Sequence, residues 1–104
     1  MGEGLVAMMA RAQRRFEYAN CGKILLKPLG QYLRDNFYIT TSGHFHTLTL
    51  QNVISEMGIS RVMFSVDYPY EDMTEGSRWF DQSPLTGSER EMVGRGNASR
   101  LLRL

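Results

Sequence analysis

Thiols are nearly absent from this chain. Cys21 stands alone among 104 residues, so an intramolecular disulfide is excluded, and no second thiol or histidine stands at ligand spacing around it. That usage fits a reducing compartment rather than a disulfide-stapled secreted module. Charge of a dominant sign is missing as well. Twelve Lys plus Arg against eleven Asp plus Glu leave a net charge of +1, too weak a field to argue for nucleic acid or an anionic membrane as partner. No stretch approaches the ~20 apolar residues needed to span a bilayer. The apolar run Leu5 to Ala10 is shorter than the core of a secretory signal. Repeats, low-complexity tracts and linkers are absent too, so residues 1–104 read as one small domain at most, in a soluble, cytoplasmic setting.

What is present centres on Arg61-Val62-Met63-Phe64-Ser65-Val66-Asp67-Tyr68-Pro69-Tyr70. Val62, Met63, Phe64 and Val66 form a nearly unbroken apolar run, the pattern of a strand covered on both faces in a parallel sheet. The run ends in Asp67, and Pro69 forbids the strand from continuing. In α/β architectures ligands and metals gather at the carboxyl ends of the strands, where rigid strands hold diverging loops. Asp67 is therefore either a site residue or the acid that caps the following turn.

The remaining chain reads in order as helix, helix, strand, helix, strand and a helical end. Leu5, Met8, Met9, Ala12 and Phe16 draw a stripe on a helix from residue 4 to about 19, finished by Asn20 to Gly22. Arg11, Arg14 and Arg15 lie beside or opposite that stripe. Lys23 to Asp35 is a second helix with Pro28 near its first turn. Asn36 to Gly43 is rich in aromatic and β-branched residues and reads as a strand. His44 and His46 follow it, either as a pair of metal ligands or as loop residues in ordinary hydrogen bonds.

Thr47 or Thr49 can cap a helix with the stripe Leu50, Val53, Ile54 and Met57, stopped by Gly58. Strand, helix, strand is a βαβ unit with parallel strands. Asp72 with Glu75, and Ser88 with Glu91, resemble capping boxes. Gly94-Arg95-Gly96 reads as a turn between helices, with Asn97 capping a terminal helix from Ala98 to Leu104. Two parallel strands leave two faces and two edges to cover, so the pattern is that of the end of a larger α/β protein.

Three separated segments, NFYITTSG from Asn36, RVMFSVDYPYE from Arg61 and GRGNASRLL from Gly94, resemble the C-terminal part of the metal-dependent aromatic-acid decarboxylases of the amidohydrolase superfamily. That group contains the γ-resorcylate and 2,3-dihydroxybenzoate decarboxylases. The resemblance implies an α/β fold, the C-terminal fragment of a (β/α)8 TIM barrel with about two parallel strands and four to five helices. Phe37 to Thr41 would be strand seven and Val62 to Val66 strand eight. Asp67 would be the strand-eight aspartate that ligates a divalent metal, zinc or manganese. Met1-Gly2-Glu3 matches the segment after a catalytic histidine, where Glu3 helps to orient that histidine, and Arg11 aligns with an arginine near the substrate pocket. The family's strand-one metal motif and its strand-five and strand-six histidines match nothing in this chain, and His44 and His46 do not replace them.

The reaction so implied is non-oxidative decarboxylation of a hydroxylated aromatic acid. The metal holds the carboxylate and the neighbouring phenol oxygen, the ring carbon is protonated, and carbon dioxide leaves. This chain would carry part of that site. Two other functions compete: an inactive remnant that associates with a full-length relative or, as a homo-oligomer, with itself through its sheet edges, and amidohydrolase-type hydrolysis. The expected partner is a small aromatic carboxylic acid, with neither nucleic acid nor membrane.

Overall fold

The computed structural model describes residues 1–19 and 21–104. Among them the elements run α1 (Glu3–Ala19), α2 (Leu29–Asn36), β1 (Ile39–Thr40), α3 (Thr47–Met57), β2 (Val62–Met63), α4 (Met73–Gln82), α5 (Gly87–Glu91) and α6 (Asn97–Leu102). A 3-10 turn, Ile59–Arg61, leads into β2, and a π-helical turn, Met92–Gly96, joins α5 to α6. β1 and β2 pair in parallel, Ile39 opposite Val62 and Thr40 opposite Met63, with α3 as the crossover. The expected βαβ unit is there. No helix among the described residues is long and apolar enough to cross a membrane.

Both strands are shorter than the sequence suggests, and the backbone bonds of β2 give the reason. Along a strand successive N–H and C=O groups point to opposite edges. Met63 O faces β1 and accepts from Thr41 N at 3.1 Å. Among the described residues the other edge meets no strand: Phe64 N donates to Val93 O at 2.8 Å, and Val62 O accepts from Asn97 Nδ2 at 2.7 Å. Asn97 Nδ2 also reaches Ile59 O at 2.8 Å. The π-helical turn and Asn97 thus engage two backbone groups on the outer edge of β2.

The core gathers Ile39 and Val62 from the strands, Leu50, Val53 and Met57 from α3, Phe80 from α4 and Val93 from the π-helical turn. Leu50, Val53, Val62 and Val93 are wholly buried, and each such side chain contributes roughly 1.5–3 kcal/mol by leaving water. Phe64 stacks on Phe80 with ring centroids 4.4 Å apart, which ties the end of β2 to α4. Arg90 locks the corner between α4 and α5. Its guanidinium donates to Phe80 O, to Ser83 O at 2.8 Å and to Leu85 O at 3.1 Å.

Several local expectations are corrected. On α1 the buried residues are Val6 and Met9, while Leu5 and Met8 stay half-exposed and line an apolar groove with Leu29, Tyr32, Leu33 and Phe37. Asn20, assigned to the turn that ends α1, lies outside the described residues. The second helix begins at Leu29, after Pro28, because proline supplies an extended N-cap rather than an interior turn. His46, not Thr47 or Thr49, caps α3, with Nδ1 accepting from Thr49 N. The capping box at α5 is Thr86 with Glu89, two residues earlier than Ser88 with Glu91. Gly94 to Gly96 is no turn: the chain stays helical as a π bulge, and Asn97 is buried within the helical run rather than capping it. Leu101, Leu102 and Leu104 on the terminal helix and just after it are exposed.

Candidate functional site

The carboxyl ends of β1 and β2 are bound together by hydroxyl groups. Thr41, wholly buried, donates from Oγ1 to Ser65 O at 2.7 Å and accepts from Ser65 N at 2.9 Å. The threonine side chain therefore continues the ladder where backbone pairing stops. Beside it a chain of hydroxyls runs from Thr40 to Ser42 (3.2 Å) and from Ser42 to Ser65 (2.9 Å). Ser42, Ser65 and Thr41 were not singled out in the sequence. The signal available was a run of small hydroxyl residues at both strand ends, Thr40-Thr41-Ser42 and Ser65, where apolar residues would otherwise continue.

Asp67 follows two residues after Ser65 and has φ +84°, a backbone region unfavourable for residues with a Cβ. Its carbonyl accepts from Tyr70 N at 2.9 Å and from Glu71 N at 3.3 Å, so the backbone of Asp67 does start the turn. The carboxylate does not share in that task. It is exposed, and neither a hydrogen bond nor an ion pair engages it among the described residues. A Cβ placed on Gly43 would lie 3.5 Å from Asp67 Oδ2, so the loop after β1 passes directly beside the acid. A strained, exposed carboxylate at the end of a strand, with its oxygens free, can serve as a ligand to a cation.

Glu3 stands at the start of α1. Met1 N lies 3.1 Å from Glu3 Oε2 and donates to Ser42 O at 3.1 Å, which brings Glu3 to the same end of the sheet. Its own backbone N–H first, and then the amino group of Met1, hold its carboxyl below the usual value, and His44 adds a smaller favourable field. His44 and His46 are joined through Thr49: His44 Nε2 is 3.3 Å and His46 Nδ1 2.9 Å from its Oγ1. They make loop hydrogen bonds, the second of the two alternatives read from the sequence. Phe45 between them packs on Trp79, whose Nε1 donates to Thr47 Oγ1 at 3.3 Å, so α4 holds this loop in place.

Arg11 is the one candidate set apart. It lines a shallow depression on α1 with Arg14, Arg15 and Tyr18, and no contact joins it to Asp67 or Glu3 among the described residues. Nor do the candidates form a metal cage. No group of three or more His, Cys, Asp or Glu side chains among the described residues could hold a metal ion, and Asp67 fits such an ion as one ligand of a larger set.

The chain is similar to several known proteins. Residues 31–104 match the family model described as Amidohydrolase. Over 106 residues the chain is 37% identical to the γ-resorcylate decarboxylase of Rhodococcus jostii strain RHA1, a match that takes in 100% of this chain and 32% of that protein. The crystal structure of a 2,6-dihydroxybenzoate decarboxylase from Rhizobium superposes with a TM-score of 0.86 at 38% identity, covering 98% of this chain and 32% of the other. A dihydroxybenzoic acid decarboxylase from Polaromonas sp. JS666, with bound manganese and the inhibitor 2-nitroresorcinol, gives 0.88 at 35% identity, over 99% and 32%. The chain thus spans about a third of the length of the proteins it matches.

Proposed function

The chain belongs to the amidohydrolase family, and from that premise we propose that it supplies the Asp67 side of a divalent-metal site for non-oxidative decarboxylation of a hydroxylated aromatic acid. The observation that carries the reading is the free carboxylate of Asp67, held at positive φ beside Gly43 at the carboxyl ends of two parallel strands. The relatives are named as decarboxylases, and one was crystallised with manganese and an aromatic inhibitor. Carboxy-lyase chemistry is therefore favoured over hydrolysis.

In this reading Asp67 is a metal ligand, zinc or manganese, and Glu3 orients a proton-transferring group that reaches the site from outside this chain. Arg11 would meet substrate only where another segment or subunit brings the ring to α1. A divalent ion, when bound, polarises the carboxylate and phenol oxygens and fixes the ring. The chain's own part is to hold one anionic ligand rigidly. Phe64 stacked on Phe80 and the Thr41 to Ser65 bonds fix the end of β2, and the loop from Gly43 to His46 walls one side. Residues 1–104 would form one part of a barrel domain, with β1 and β2 as strands seven and eight. Because one ligand is present where a selective site needs several, the inactive remnant that works by association is the second reading.

Complementation separates the two. The upstream two-thirds of a Rhizobium-type 2,6-dihydroxybenzoate decarboxylase is produced with this chain, and carbon dioxide release from 2,6-dihydroxybenzoate is followed with manganese. Metal-dependent release that Asp67→Asn abolishes is expected. A stable complex without release, or release indifferent to Asp67→Asn, would favour the remnant.

A further inference from the structure

His44, Thr49 and His46 form a hydrogen-bonded chain, and the Thr49 N–H donating to His46 Nδ1 gives it a polarity. The backbone N–H of Thr49 donates to His46 Nδ1 at 3.3 Å, so that nitrogen carries a lone pair and the ring proton sits on Nε2. The Thr49 hydroxyl, 2.9 Å from the same Nδ1, can then only donate to it. With its proton so directed, Thr49 Oγ1 is left as acceptor for His44 Nε2–H at 3.3 Å. The order is His44 Nε2–H to Thr49 Oγ1–H to His46 Nδ1. His46 is exposed and His44 half-buried; His44 follows Gly43, on which a Cβ would lie 3.5 Å from Asp67 Oδ2.

We propose that this triad is a proton relay between solvent and the carboxyl end of β1. A proton accepted at His44 Nδ1 is matched by passage of the Nε2 proton to Thr49 Oγ1, of the hydroxyl proton to His46 Nδ1, and release of the His46 Nε2 proton to water. One proton enters, one leaves, and Thr49 is unchanged. Both rings have then exchanged tautomers, and the reversed chain carries the next proton inward, which restores the starting state. The Thr49 N–H bond to Nδ1 favours the starting polarity, because the reversed one gives up that helix cap. The use of the relay rests on the decarboxylation reading, in which a ring carbon must be protonated; its existence does not.

Ring nitrogen NMR of the 15N-histidine chain at alkaline pH tests it. His46 should show a bare Nδ1 and protonated Nε2, and His44 a protonated Nε2. Exchange of the His44 Nε2 proton with water should slow by about tenfold in Thr49→Val and stay near the wild-type rate in Thr49→Ser. A purely structural Thr49 would loosen the loop on removal, so exchange unchanged or faster in Thr49→Val overturns the relay, as does a protonated His46 Nδ1 in the wild type. Should Thr49→Val fail to fold, the wild-type tautomers and Thr49→Ser still decide the matter. Manganese binding at Asp67 is read separately, so either idea can fail without the other.

Discussion

Asp67 trades backbone comfort for an exposed carboxylate. At φ +84° a residue with a Cβ is strained, at a cost on the order of 1–3 kcal/mol, and among the described residues no hydrogen bond or ion pair of its side chain offsets it. Asp67→Gly should therefore be neutral or up to about 1 kcal/mol more stable in urea unfolding, after the extra chain entropy of glycine is counted. A clear loss of stability would mean that the carboxylate has a structural partner. Asn97 behaves in the opposite way. It is 1% exposed and its one amide donates to two backbone carbonyls; Ile59 O keeps the Val62 N–H, so Asn97→Ala strands Val62 O and should cost about 1–3 kcal/mol by the same measurement. The two residues also mark what was legible. Asp67 is recognisable because its neighbours state its context: an apolar run before it and a proline after. Asn97 and Thr41 act on backbone 35 and 24 residues away, and no local pattern encodes such partners. Asn97 thus resembles a helix cap until the fold is known.

Helix ends in this chain are set by short polar motifs, and those have a defined pH response. Thr86 N and Thr86 Oγ1 both donate to Glu89 Oε2 at 2.8 Å, and those bonds, backbone first, lower the carboxyl pKa of Glu89 from 4.5. The unfolded chain therefore binds the proton more readily. The stabilisation is fully present above the unfolded value of 4.5, and is lost as pH falls through the lowered folded value. Amide exchange at the start of α5 should accelerate below that range, and Glu89→Gln should flatten the response. An acid-insensitive α5 in the wild type would refute this assignment. Periodicity located the longer helices and the order of strands and helices. It misplaced ends where the capping atom was unexpected, as with the imidazole of His46, or where a bulge kept the chain helical through Gly94-Arg95-Gly96. Strand lengths escaped it because β2 spends its outer edge on Val93 and Asn97.

As a whole the molecule is drawn out. Its radius of gyration is 15.5 Å, with extents of 49 × 26 × 26 Å, against about 13 Å for a compact domain of this length. A two-stranded parallel sheet and an open groove bearing Leu5, Met8 and Phe37 leave much apolar surface in water. The isolated chain should melt broadly with low amplitude or aggregate, and a sharp cooperative transition of a monomer in calorimetry would argue otherwise. The same incompleteness governs the site, where a lone carboxylate leaves most positions around a cation to water. Manganese titration of the 15N-labelled chain, read by paramagnetic broadening and calorimetry, tests this most directly. Broadening centred on Asp67 and Gly43, with affinity in roughly the millimolar range and loss in Asp67→Asn, is the predicted result. Tight one-to-one binding at micromolar manganese, or broadening that survives Asp67→Asn, would contradict it.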